Sequence, residues 1–104
     1  MIEEIVMNNR DNSIDLLLKA DGEAQSLLGV TKMILEDEDG ELDDISSDDY
    51  PDYFDWAGST TGKLILTLGS HGITAGRYIL RLIVYDATHT NGIFWDRFMI
   101  NVKD

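Results

Sequence analysis

From Tyr78 to Tyr85 the chain reads Tyr-Ile-Leu-Arg-Leu-Ile-Val-Tyr. Tyr78, Leu80, Leu82 and Val84 fall on one side of an extended backbone, and Ile79, Arg81, Ile83 and Tyr85 on the other. Successive side chains of a strand point to opposite faces, so this run of branched and aromatic residues predicts a strand with one face in a core. The same period recurs on either side of it. Leu64, Leu66 and Leu68 alternate with Lys63, Ile65 and Thr67; Phe98, Ile100 and Val102 alternate with Met99, Asn101 and Lys103. Between the runs lie Gly69-Ser70-His71-Gly72, Ala75-Gly76 and Thr90-Asn91-Gly92. Asn-Gly between two apolar strands readily supplies the positive φ of a tight connection.

The N-terminal half follows the same rule less cleanly. Ile14, Leu16 and Leu18 alternate with Asp15, Leu17 and Lys19 ahead of a turn at Asp21-Gly22. Met33 and Leu35 alternate with Lys32, Ile34 and Glu36 ahead of a turn at Asp39-Gly40, and Ile5 and Met7 share one side of a first strand. Residues 23–28 are too few for a stable isolated helix and read as a turn or an edge piece. Strands are therefore expected near 2–7, 13–20, 30–38, 41–46, 63–68, 77–86 and 93–103, at the spacing of an all-β protein. The expected architecture is an immunoglobulin-like antiparallel β-sandwich of about seven strands. No internal repeat and no shift in composition divides the 104 residues, so residues 1–104 read as a single domain. Pro51, the one proline, falls outside every expected strand.

Charge narrows the partners. Twenty acids against eight Lys and Arg leave a net charge of −12, which argues against nucleic-acid binding through a basic face. No apolar run approaches the ~18 residues of a membrane span, and Met1-Ile2-Glu3-Glu4 lacks the basic and apolar parts of a signal peptide. With no cysteine there is no disulfide, thiolate metal site or cysteine nucleophile. His71 and His89 sit in expected turns without the spacing of zinc ligands and read as solvated. Ser70, His71 and Asp86 form no nucleophile motif. Residues 58–63 end in Gly-Lys, with the wrong spacing for a phosphate loop. The expectation is a non-enzymatic protein without a cofactor.

Residues 36–55 hold eleven of the twenty acids and no base: Glu36, Asp37, Glu38, Asp39, Glu41, Asp43, Asp44, Asp48, Asp49, Asp52 and Asp55. Tyr50, Tyr53, Phe54 and Trp56 lie inside and just after this run, and residues 46–62 lack strand periodicity altogether. A solvated loop that keeps a sheet edge from pairing is one use of such a segment. An interface for a basic partner is another, with Tyr50, Tyr53, Phe54 and Trp56 as anchors; the same rings could instead cap the core. A third is calcium, for which Asp37, Asp39, Asp43 and Asp44 are the candidate ligands, although Leu35 stands where an EF-hand loop needs its first Asp. Finally, carboxylates two residues apart on a strand lie ~6.6 Å from each other, close to the spacing of successive phosphates. Asp37, Asp39, Glu41 and Asp43 have that spacing and would let an acidic protein imitate DNA, unless a turn at Gly40 breaks the row.

Four stretches combine into a family pattern. They are Val30-Thr31-Lys32-Met33-Ile34-Leu35; Phe54-Asp55-Trp56; Leu64-Ile65-Leu66-Thr67-Leu68-Gly69 with Ala75-Gly76-Arg77-Tyr78; and Val84-Tyr85-Asp86-Ala87-Thr88-His89-Thr90-Asn91-Gly92-Ile93-Phe94-Trp95. Together they resemble small immunoglobulin-like proteins encoded by tailed bacteriophages and prophages, over roughly residues 30–102. The resemblance brings no catalytic residues. It implies a structural, tail-region accessory protein, made in the bacterial cytoplasm and incorporated into the virion. Its partners would be other virion proteins or further copies of itself, with neither nucleic acid nor membrane among them. An acidic DNA-mimic inhibitor and a calcium-dependent carbohydrate-binding sandwich are the alternatives from other functional classes. Within the pattern, Tyr78 is placed to bond back across a corner, Asp86 to cap the turn after it, and Trp95 to fill the interior while its N–H reaches a carbonyl.

Overall fold

The structure is a computed structural model that describes residues 2–104. Ten strands follow one another: β1 (Glu3–Met7), β2 (Ile14–Leu17), β3 (Lys19–Ala20), β4 (Glu23–Ala24), β5 (Val30–Asp37), β6 (Ile45–Ser46), β7 (Phe54–Asp55), β8 (Lys63–Leu66), β9 (Gly76–Asp86) and β10 (Ile93–Lys103). Two short 3-10 turns, Pro51–Tyr53 and Gly69–His71, are the helical pieces among the described residues. None is long and apolar enough to cross a membrane.

A five-stranded sheet runs in the order β1-β10-β9-β5-β6, a three-stranded sheet in the order β2-β8-β7, and β3 pairs with β4. All pairs are antiparallel except β1 with β10, which run parallel from Glu3↔Met99 to Met7↔Lys103. The alternation read from residues 78–85 sets the register. Tyr78, Leu80, Leu82 and Val84 are buried and Ile79, Arg81, Ile83 and Tyr85 are partly exposed. Met33 and Leu35 from β5, Phe98, Ile100 and Val102 from β10, and Leu64 and Leu66 from β8 join the first set in one continuous hydrophobic cluster. Each such side chain withdrawn from water contributes ~1.5–3 kcal/mol, so these inward faces are the main source of stability.

The all-β expectation holds, but the count of seven strands does not, and backbone hydrogen bonding explains why. The expected strand 13–20 divides at Leu18. Its N–H donates to the Gly62 carbonyl at 2.8 Å and its carbonyl accepts from Gln25 at 3.0 Å, so the chain leaves the β2–β8 ladder there and turns into the β3–β4 hairpin. The expected strand 41–46 shrinks to Ile45–Ser46, because the N–H groups of Glu41 and Leu42 point into the Asp37 carboxylate, not towards a neighbouring strand. Residues 46–62, expected to be without strands, contain β7 and the Pro51–Tyr53 turn.

Three details of the corner and hairpin can be compared with their expectations. The Tyr78 hydroxyl donates to the Thr74 carbonyl at 2.6 Å, with the ring buried. Asp86 accepts the N–H groups of Thr88 and His89 at 2.9 and 2.7 Å, closing the turn into β10. Gly92 has φ +82°, and a side chain there would collide with Ile83 and Tyr85. Trp95 differs. It is the extra residue of a bulge between Phe94 and Asp96, so its ring packs on the core only in part. The expected hydrogen bond from its indole to a carbonyl is absent among the described residues.

Candidate interaction site

The segment after β6 is built by a series of local bonds. Ser47 is buried, and its hydroxyl accepts the Met33 N–H at 3.0 Å while its own N–H donates to the Met33 carbonyl at 2.9 Å. This double link fixes the chain against β5. A turn follows, with the Tyr50 N–H on the Ser46 carbonyl at 2.9 Å, and Pro51 then opens the 3-10 turn with its preset φ. The turn closes with the Tyr53 N–H on the Tyr50 carbonyl at 3.1 Å. Tyr50, which precedes the turn with φ −130° and ψ 64°, stacks on Tyr53, with ring centroids 5.0 Å apart and planes 4° from parallel. His71, in the other 3-10 turn, meets both rings edge-on at 4.8 and 5.4 Å. The three rings form one platform on which Tyr50 remains 38% exposed.

The four aromatic candidates thus separate. Tyr50 and Tyr53 come together, Tyr50 exposed and Tyr53 half-buried against the core. Phe54 is buried in the core, its strand position placing it opposite Leu66, and it is withdrawn as an anchor. Trp56 packs partly against the core and meets Phe54 edge to face at 6.4 Å. His71, expected to be solvated, is instead half-buried against the side of the tyrosine stack and belongs to the site. Nothing in its spacing from Tyr50 could have revealed this, because the two turns meet only through the fold.

The acids also separate. Asp37 is 7% exposed and its two carboxylate oxygens accept the N–H groups of Asp39, Glu41 and Leu42, each at 3.0 Å. Glu36 pairs with Arg81 at 3.5 Å and Glu38 with Arg97 at 3.0 Å, both on the outer face of the five-stranded sheet. Asp39, Glu41, Asp43, Asp44, Asp48, Asp49, Asp52 and Asp55 are exposed. Of the calcium candidates, Asp37 is committed to backbone donors, and Asp39, Asp43 and Asp44 are exposed. Among the described residues no three metal-binding side chains are gathered together. The row of phosphate-like spacing is broken as well, since β5 ends at Asp37 and Gly40, with φ +72°, turns the chain.

His89 is exposed and its Nδ1 lies 2.9 Å from Asp86 Oδ1. The His89 backbone N–H, then the His89 ring, hold the Asp86 carboxyl below its ordinary value of 3.8, with the Thr88 N–H adding to them. This pair stabilises a turn.

The platform offers a flat exposed ring and hydroxyl groups, with the exposed carboxylates of Asp48, Asp49 and Asp52 close by in sequence. Such a surface suits cationic and planar groups: an arginine side chain can stack on the ring while a carboxylate takes its charge. Compared with known proteins, the chain matches no protein-family model and no curated protein.

Proposed function

We infer that the chain is a single immunoglobulin-like domain that works without catalysis, as a structural module binding other proteins through the Tyr50–Tyr53–His71 platform. The fold part of this reading is supported by strand order. β5, β9 and β10 stand to one another as strands C, F and G of an immunoglobulin domain, and β2, β8 and β7 as B, E and D. The bond from Tyr78 to Thr74, at the start of the F-like strand, matches the tyrosine corner of that fold. Met33 and Leu35 fill the inward positions of β5, where antibody domains carry a tryptophan.

The observation that carries the binding reading is the exposed ring of Tyr50, stacked on the half-buried Tyr53 and set in an acidic segment without a base. Both rings are held by hydrogen-bonded turns, so little freedom is lost when a partner docks. The partner is a protein with a basic, arginine-bearing surface. Taken with the resemblance to phage-encoded proteins, it belongs to the tail region of a bacteriophage particle.

The test is a photo-crosslinking residue placed at position 50 in producing cells, with one at position 90 as the control. A discrete adduct at 50, lost in Tyr53→Ala and reduced by salt as exposed charges are screened, is the expected result. Equal labelling at 50 and 90, or an adduct indifferent to Tyr53→Ala, would remove the platform from the account. Tyr53→Ala should cost about 2–3 kcal/mol of stability, the pair contact together with the part of the ring packed on the core, which leaves the protein folded for the measurement.

A further inference from the structure

The charges of the chain are divided between two surfaces. Five of its eight bases, Lys32, Arg77, Arg81, Arg97 and Lys103, stand at outward positions of the five-stranded sheet. They share that face with Glu3, Glu36 and Glu38, each paired with one of the arginines. Together these residues put the face at +2, and the three bases and seventeen acids left over put the rest of the chain at −14.

Between its charges the same face is apolar. Phe94, Ile83 and Ile34 stand side by side across β10, β9 and β5, and Phe94 is 57% exposed. On the other side of Arg81 and Arg97, Ile79 is opposite Met99. Arginines set among aromatic and aliphatic side chains are the composition of protein interfaces. The acidic remainder holds the Tyr50–Tyr53–His71 platform. The Tyr53 carbonyl accepts the Thr67 N–H at 3.0 Å and His71 follows β8, so the platform is tied to the three-stranded sheet and shares no residue with the basic face.

From this division we propose that the arginine-bearing partner of the platform is a second copy of the chain, whose five-stranded sheet receives the platform on its outer face. The proposal rests on the binding role given to the platform above. The Tyr50 ring stacks on a guanidinium of the central pair Arg81 and Arg97. Asp48, Asp49 and Asp52 take over the charge that Glu36 and Glu38 hold in the free chain. Those intrachain pairs are exposed, and exposed pairs contribute little, so the exchange costs little. Ile79, Ile83 and Phe94 supply the apolar part of the contact. Charge complementarity selects this arrangement over a two-fold one. Two outer faces together would set +2 against +2, and two platforms would set acid against acid. Because two different patches meet, each pair keeps one free platform and one free face, and association continues head to tail beyond two copies.

The test is sedimentation velocity of the full chain over a dilution series at low salt. The parent is expected to form species larger than a dimer at high concentration. Added salt, by screening exposed charges, should weaken the association about tenfold. Two double variants each remove one surface. Tyr50→Ala with Asp52→Lys removes the platform. Arg81→Gln with Arg97→Gln keeps the side-chain stems and leaves Glu36 and Glu38 to repel acids. Each alone should associate about tenfold more weakly than the parent and melt within a few degrees of it, as surface changes do. Mixed, the two should form a one-to-one pair that grows no further, since one copy supplies the intact face and the other the intact platform. A parent that stays at 11.7 kDa at every concentration overturns the proposal without recourse to any variant. If the in-cell adduct at position 50 then persists, the platform binds a different protein and its binding role stands; if the adduct is missing too, both fall. A platform variant that associates like the parent would make the contact two-fold between outer faces. A mixture of two folded variants that forms no pair would remove the head-to-tail contact. Either result overturns the proposal.

Discussion

β5 and β9 lie side by side at the centre of the same sheet, and each ends in an aspartate that gathers the backbone of the next turn. The two turns differ in how deeply that aspartate sits. Asp37 is nearly closed off from water and serves three N–H groups with both oxygens. The Asp86 side chain is 32% exposed and serves two N–H groups and the His89 ring through one oxygen. Identical chemistry therefore carries different weight. Where water is excluded, losing the carboxylate strands several donors; where water is present, it can take over the bonds. The acid-rich segment teaches the same lesson, since its density of charge suggested a ligand site, while its one buried carboxylate turns out to be a scaffold.

The largest test of this contrast is Asp37→Ala. It should cost about 3 kcal/mol, because three N–H groups lose a charged acceptor at once, and lower the melting temperature by about 15 °C. Asp37→Asn keeps one carbonyl and should fall between the two. Chemical denaturation reads both. A loss no greater than that of Asp86→Ala would show that burial does not distinguish the turns.

The opposite end of β9 offers a middle case. Tyr78→Phe removes only the hydroxyl that reaches Thr74, keeping the buried ring. The Thr74 residue is exposed, so water can replace the lost donor. A cost of about 1 kcal/mol is expected, with a fall of about 4–8 °C in melting temperature. A cost near that of Asp37→Ala would mean that the corner, and not the acid-bound turn, anchors this sheet.

How legible each part was follows from length and from distance along the chain. β9 could be read directly because eleven residues give five turns of the period, and each misassigned face would have placed an arginine in the core. β3, β4, β6 and β7 have two residues each. Two residues cannot show an alternation, and these strands exist because distant backbone supplies their partners. Asp86 and Tyr78 were legible because their bonds are local. Phe54 was misread because its burial depends on β8 arriving opposite it, and His71 because it reaches the tyrosines from another turn. Asp37 was grouped with its neighbours for the same reason: the sequence shows charge, while the number of donors around each oxygen is a property of the folded turn.

The smallest effect, and the one that most sharpens the comparison, is the pH dependence of Asp86→Asn. In the folded chain this carboxyl titrates below its ordinary value of 3.8, chiefly because the His89 N–H and ring favour its charged form. A group with a lowered folded pKa binds its proton more readily when unfolded. Its stabilising contribution is therefore complete above the ordinary carboxylate range and disappears as pH falls through the lowered folded value. The parent should be slightly more stable than Asp86→Asn at neutral pH, and the difference should close under acid conditions. Urea midpoints for both proteins, taken from neutral pH to well below 3.8, measure it. A difference that persisted in acid would assign the aspartate's role to shape and hydrogen bonding alone. The Asp86 turn would then resemble the Asp37 turn more closely than their exposures imply.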